Sequence, residues 1–261
     1  MTDIQKLMLS MLVHLRVGVG VIGISLPIIL AGAGKVLFGV PFAGSMSAYY
    51  HATKSCAIPV CPRPENAIPC APGATPDPCA AEGSGPMRNW FVGNLFFIGA
   101  AMFLIKGFSV WEDWALNIAG VAALGVACFP MEWPCGTSGF SIHSLHYPSA
   151  VTLFICIGFT CVFCSGKTLK EMPPCPDRDK IIARYKHWYR FLAAVMILSP
   201  VAAWIFAYST RLMAHLGFYL EASGIFAFGA YWLLKTEELK RSDVEGRAMR
   251  GELLMDTRSL R

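Results

Sequence analysis

Six apolar stretches constrain this chain more than any other feature, because each is close to the length of a helix that crosses a lipid bilayer. They run over residues 17–38, 90–105, 114–131, 149–164, 191–208 and 218–234. About 20 apolar residues are needed to cross the hydrocarbon core, and none of the stretches alternates as a membrane β-barrel strand does. With 55% hydrophobic and only 15% charged residues, the chain could not cover a soluble surface. The sequence therefore predicts an all-α polytopic membrane protein, a bundle of six transmembrane helices.

The distribution of lysine and arginine predicts the orientation of that bundle. With the N-terminus in the cytoplasm, segments 1–16, 106–113, 166–190 and 235–261 lie inside and hold 17 of the 22 basic residues. Basic residues accumulate on the cytoplasmic side of membrane proteins, so both termini are expected there. The last segment, 235–261, reads as a charged cytoplasmic tail that forms a short surface helix or frayed chain. The net charge of +5 then indicates topology and contact with anionic lipid, not nucleic-acid binding.

A proline- and cysteine-rich segment, 52–87, is predicted to be a loop outside the cytoplasm. Its eight prolines exclude regular helix and central strand. Four cysteines in this loop are disulfide candidates: Cys56, Cys61, Cys70 and Cys79. Disulfides are expected if this side is oxidising, and the sequence leaves the pairing open. A zinc site from the same cysteines is the alternative, although they contain no C-x-x-C pair.

Polar residues at the predicted outer ends of the helices are the candidate functional groups. Glu221 is the only carboxylate inside a predicted span, and ionisable groups at membrane depth are costly and often functional. The candidates for catalysis are Glu221, Ser47 and Arg88, and the candidate metal ligands are His51, His143 and His146. Three imidazoles suit zinc with an open position for water, and such water could attack a lipid amide or ester.

Less specific interpretations of these residues are open as well. Arg88 and the histidines could bind an anionic head group without chemistry. Glu221 could pair with Arg88 or Arg211 to hold helices together. His51, His143 and His146 could be ordinary residues of the membrane interface.

Several motifs resemble a family of bacterial six-span membrane proteins. They are S-M-S-A-Y-Y-H at 45–51, R-N-W-F-V-G at 88–93, W-A-L-N-I-A-G-V at 114–121 and the histidine before the fourth span. That resemblance implies a multi-pass protein of a bacterial inner membrane. The chain is more distantly similar to the superfamily of alkaline ceramidases and adiponectin-type receptors, which are membrane zinc hydrolases. That similarity implies comparable roles for Ser47, His51, His143 and His146, although here the histidine pair is H-x-x-H and precedes span four.

Two classes of function follow from these patterns. The first is a zinc-dependent membrane hydrolase that acts on a lipid amide or ester in an outward-facing pocket. The second is a non-catalytic accessory subunit of a larger membrane complex, docking through the loop 52–87. A transporter is less favoured, because the chain has no repeat of broken helices in two halves.

Overall fold

The computed structural model describes residues 1–40, 42–50, 86–129, 145–209 and 215–253. Within these ranges the chain is helical without any β-strand, which confirms the prediction of an all-α protein. The helices are α1 (Asp3–Ile28), α2 (Gly34–Phe38), α3 (Pro86–Leu104), α4 (Val110–Cys128), α5 (His146–Phe159), α6 (Arg178–Ser209), α7 (Leu216–Ser242) and α8 (Val244–Met249). Two π-helical turns, Ile29–Ala33 and Thr160–Cys164, continue α1 into α2 and extend α5. The described part of each of the six apolar stretches lies almost entirely on one of these helical segments.

Local signals set the helix ends. Thr2 and Gln5 form a reciprocal capping box that starts α1, and the Ser109 hydroxyl accepts a hydrogen bond from the Glu112 amide to start α4. At the other end of the first segment, Gly39 adopts φ 67°. This left-handed conformation suits glycine and terminates α2.

Glycines allow two pairs of helices to approach closely. Where α1 crosses α7, a methyl group built on Gly229 would lie 2.7 Å from the carbonyl oxygen of Gly20. Where α3 crosses α4, a methyl group on Gly120 would lie 2.7 Å from the carbonyl oxygen of Gly99. Close backbone approach of this kind is how helices associate in lipid, where no hydrophobic effect drives them together.

The outside of the bundle is apolar. Large exposed side chains include Val36, Leu37, Phe103, Leu104, Ile155 and Phe163. Three helical segments in the described part of the chain are long and apolar enough to cross a membrane: Asp3–Phe38, Pro86–Leu104 and Pro148–Glu171. An apolar exterior on helices of this length is what a bilayer covers.

The helices bring the polar segments together at two opposite ends of the bundle, named here the Glu221 end and the Lys235 end. At the Glu221 end, residues 42–50 and the starts of α3, α5 and α7 lie together. At the Lys235 end, the segment that begins at residue 235 contacts the other three segments that the charge pattern assigns to the cytoplasm. Arg16 pairs with Glu245, Lys235 contacts the Phe108 ring and the Ser165 carbonyl, and further links are described below.

Candidate functional site

Glu221 is held by the turn that contains Ser47. The Ser47 amide donates a hydrogen bond to Glu221 Oε2 at 3.1 Å, and the Ser47 hydroxyl lies 3.4 Å from the same oxygen. Ser47 is buried and begins the 3-10 turn Ser47–Tyr50. Ser47 and Glu221 are 174 residues apart in the sequence, and the fold brings them into contact. A carboxylate beside a hydroxyl is suited to act as a general base.

The chain reaches this geometry because the preceding loop is fixed to the start of α7. The Phe218 amide donates to the Gly44 carbonyl at 2.7 Å, and a methyl group on Gly217 would lie 3.0 Å from that same oxygen. Tyr49 is fully buried below the turn, and its hydroxyl accepts from the Ala43 amide at 3.3 Å. These contacts place the Ser47 amide against α7.

Arg88 belongs to the same end but does not pair with Glu221. Its guanidinium donates to the Tyr50 hydroxyl at 2.7 Å and lies 4.3 Å from the centre of the Tyr50 ring. Among the described residues no salt bridge includes Glu221. The suggested Glu221–Arg88 pair is therefore not formed, and Arg211 lies outside the described residues.

His146 is buried at the first residue of α5, and its ring orientation is fixed. Nδ1 lies 2.7 Å from the carbonyl oxygen of Phe129. Because a carbonyl can only accept, Nδ1 carries the proton in this contact. This is the arrangement in which proteins usually present a histidine to a metal.

The other predicted ligands cannot be placed against His146. His51 and His143 lie outside the described residues, as do the disulfide candidates Cys56, Cys61, Cys70 and Cys79. In the part of the chain that the structure describes, no group of three or more His, Cys, Asp or Glu side chains is arranged to hold a metal.

A second polar cluster, at the Lys235 end, was not anticipated from the sequence. Lys235 and Glu238 are 2% and 0% exposed, and Lys235 Nζ lies 2.9 Å from Glu238 Oε2. The ammonium also donates to the Ser165 carbonyl at 3.3 Å and to the Thr168 hydroxyl. Both Glu238 oxygens accept further bonds, one from Thr168 and one from Tyr189. The charged cluster is thus satisfied from three separate parts of the chain.

Two further ionisable groups, Tyr189 and Glu112, lie close to the charges of this cluster, and their pKa values are shifted. Burial and the Glu238 carboxylate raise the pKa of Tyr189, so its hydroxyl stays a donor. Burial also raises the pKa of Glu112 at the start of α4, and the nearby Lys235 ammonium opposes that rise. Glu112 Oε2 accepts from the Phe108 amide at 3.0 Å, which holds the α3–α4 connection against the cluster.

The sequence predicts a short surface helix or frayed chain beyond residue 234, whereas the structure buries the first residues of this segment. Helix α7 continues to Ser242, and its buried face includes Lys235, Glu238 and Leu239. A signal in the sequence could have indicated this, because Tyr231, Lys235 and Ser242 follow one another at helical spacing. The predicted span ends before Lys235 because a charged residue lowers the mean hydropathy of its segment. The mean hydropathy is the same whether or not that charge has a buried partner.

Comparison of the chain with protein-family models, with curated proteins and with solved structures finds no match in any of the three. The side chains at the two ends of the bundle are therefore the features of the protein that bear on its function.

Proposed function

We propose that the protein is a six-span protein of a bacterial inner membrane, with both termini in the cytoplasm and the Lys235 end on the cytoplasmic side. The apolar exterior of the bundle supports this proposal. The strongest support is that the four segments that together hold 17 of the 22 basic residues lie at a single end, as the preference of basic residues for the cytoplasmic side requires.

We further propose that the Glu221 end binds a membrane lipid and hydrolyses its amide or ester bond. The observation that carries this proposal is the contact between Ser47 and Glu221. There a carboxylate that has no ion pair with any other described residue lies beside a hydroxyl and a backbone amide. In this role Glu221 takes a proton from water while the water oxygen attacks the carbonyl carbon. The bond to the leaving nitrogen or oxygen then breaks, and Glu221 returns the proton to that leaving group.

Two further residues have roles in this proposal, one in binding the substrate and one in holding zinc. Arg88, oriented by Tyr50, binds an oxygen of the lipid head group, because a guanidinium is suited to carboxylate and phosphate oxygens. His146 would hold zinc through Nε2 together with His51 and His143. Zinc bound there would lower the pKa of its water ligand and polarise the carbonyl. The fixed proton on His146 Nδ1 fits that role.

The test is lipid hydrolysis by the purified full chain in lipid nanodiscs, with zinc added and zinc removed. The probes are a ceramide for the amide and phosphatidylglycerol for the ester, with released fatty acid measured by mass spectrometry. Glu221→Gln should reduce the rate by about 100-fold or more, the contribution of a general base. Glu237→Gln is the matched control, since Glu237 is an exposed carboxylate on the same helix.

Three results would contradict the proposal. One is the absence of hydrolysis of both lipids by the wild-type chain in the presence of zinc. Another is a Glu221→Gln rate within about twofold of the control. The third is an unchanged zinc content after His51, His143 and His146 are replaced together by alanine. Co-purification of an inactive wild-type chain with other membrane subunits would favour the accessory-subunit function instead.

A further inference from the structure

A groove opens between α5 and α6 near the Lys235 end. Its volume is about 460 Å³, within the range of about 300–1,000 Å³ that ligand pockets occupy. One wall is the π-helical turn after α5 with the following Gly166, and the other is the face of α6 that carries Lys186 and Arg190. Gly166 and Ala194 contribute little side chain, which leaves the space between the two segments open.

The groove combines a basic rim with an apolar wall. Lys186 and Arg190 are exposed and stand one helical turn apart on α6, so their charges act on the same point. Phe163, 67% exposed, and Ala194 line the apolar part. A ligand that fits both parts has an anionic group and a hydrocarbon chain.

Trp188 supports a position at the level of the lipid head groups. It is half-exposed on α6 between Lys186 and Arg190, and its ring packs edge-on against Phe191 at 5.6 Å. Exposed tryptophan beside lysine and arginine is typical of the membrane–water interface. The two cations are then expected at phosphate depth, and the Phe163 side of the groove at the depth of the acyl chains.

We propose that this groove is a binding site for an anionic phospholipid of the cytoplasmic leaflet. Lys186 and Arg190 bind the phosphate, and one acyl chain lies along Phe163 and Ala194. Tyr189 forms part of the groove lining and donates to Glu238, so the bound lipid contacts the residue that anchors the buried cluster. The site is at the opposite end from Glu221 and does not depend on any hydrolysis there.

The test is native mass spectrometry of the full chain in detergent, titrated with phosphatidylglycerol or with phosphatidylcholine carrying the same acyl chains. The double variant Lys186→Gln with Arg190→Gln should bind phosphatidylglycerol about 30-fold more weakly. This factor corresponds to about 1 kcal/mol for each basic residue near an anionic lipid surface. The matched control is Lys6→Gln with Lys180→Gln, which removes two exposed cations elsewhere at the same end and should bind like the wild type.

A third variant separates the groove from simple surface charge. Gly166→Leu keeps every cation, its Cβ would meet no atom within 4 Å, and it adds an apolar side chain to the groove lining. It should weaken phosphatidylglycerol binding by a similar factor. Thermal unfolding of each variant checks that the bundle remains intact.

Several outcomes would overturn the proposal. One is binding of phosphatidylcholine by the wild-type chain as tight as its binding of phosphatidylglycerol. Another is undiminished phosphatidylglycerol binding by the Lys186/Arg190 double variant or by Gly166→Leu. The third is a loss of binding in the Lys6/Lys180 control as large as that in the Lys186/Arg190 double variant. Displacement of the lipid by inorganic phosphate would identify a free-phosphate site and also reject the lipid.

Discussion

Replacing Lys235 by methionine should destabilise the protein strongly, because the change leaves the Glu238 carboxylate buried without its cation. All three protons of the ammonium are used, by Glu238, Thr168 and the Ser165 carbonyl. Removing one partner of a buried ion pair costs about 3–5 kcal/mol. Glu238 keeps its hydroxyl donors from Thr168 and Tyr189, so we expect the lower end of that range, about 3 kcal/mol.

A second substitution in the same variant tests the physical cause. Glu238→Gln removes the unpaired charge, keeps the side-chain volume and can still contact the Thr168 and Tyr189 hydroxyls. The double variant Lys235→Met/Glu238→Gln should therefore be more stable than Lys235→Met alone, by about 2 kcal/mol. If simple loss of contacts were the cause, the second substitution would lower the stability further.

The free energy of unfolding can be measured by titration with sodium dodecyl sulfate in mixed micelles, followed by circular dichroism. Lys180→Met is the control, because Lys180 is 87% exposed in its pair with Asp177, and exposed pairs contribute about 0–1 kcal/mol. A cost of Lys235→Met no larger than that of Lys180→Met would show that the buried pair does not stabilise the protein. A double variant less stable than Lys235→Met would show that the unpaired charge is not the cause of the loss.

Three further predictions concern packing and topology. Gly229→Ala should cost about 1–3 kcal/mol of unfolding free energy, because its methyl group would lie 2.6–2.7 Å from atoms of α1. Gly158→Ala, with open space around it, should be neutral or stabilising. An equal loss of unfolding free energy in Gly229→Ala and Gly158→Ala would contradict the prediction. Arg16→Gln removes two 2.6 Å bonds to a carboxylate on α8 and should cost about 2 kcal/mol in the same assay. In single-cysteine variants, exposed Cys175 should react with an impermeant maleimide only in inverted vesicles, whereas buried Cys161 should stay unlabelled. Labelling of Cys175 in intact spheroplasts would reverse the proposed topology.

The helices were predictable from the sequence, but their ends were less so. Hydropathy is a local property, so each apolar stretch marks a helix. The prediction for the first span begins at residue 17, whereas α1 begins at Asp3, and α6 begins at Arg178, well before residue 191. Amphipathic ends of helices carry charges that an average of hydropathy excludes, although the backbone continues in the same conformation.

The candidate site was predictable in part. Glu221 could be singled out because a carboxylate in an apolar stretch is conspicuous. Its contact with Ser47 could not be derived, since it depends on the Gly44–Phe218 hydrogen bond that docks the loop on α7. Arg88 was an equally good partner by residue type, yet the structure directs it to Tyr50.

The sequence by itself determined the all-α class, the six helical segments and the grouping of the basic segments at one end, because apolar length and charge bias are read along the chain. Only the tertiary structure decided which charges are buried and which partners satisfy them. Lys235 and Glu238 look like residues of a solvated tail in the sequence. They are buried because Ser165, Thr168 and Tyr189, from remote parts of the chain, supply the hydrogen bonds that replace water.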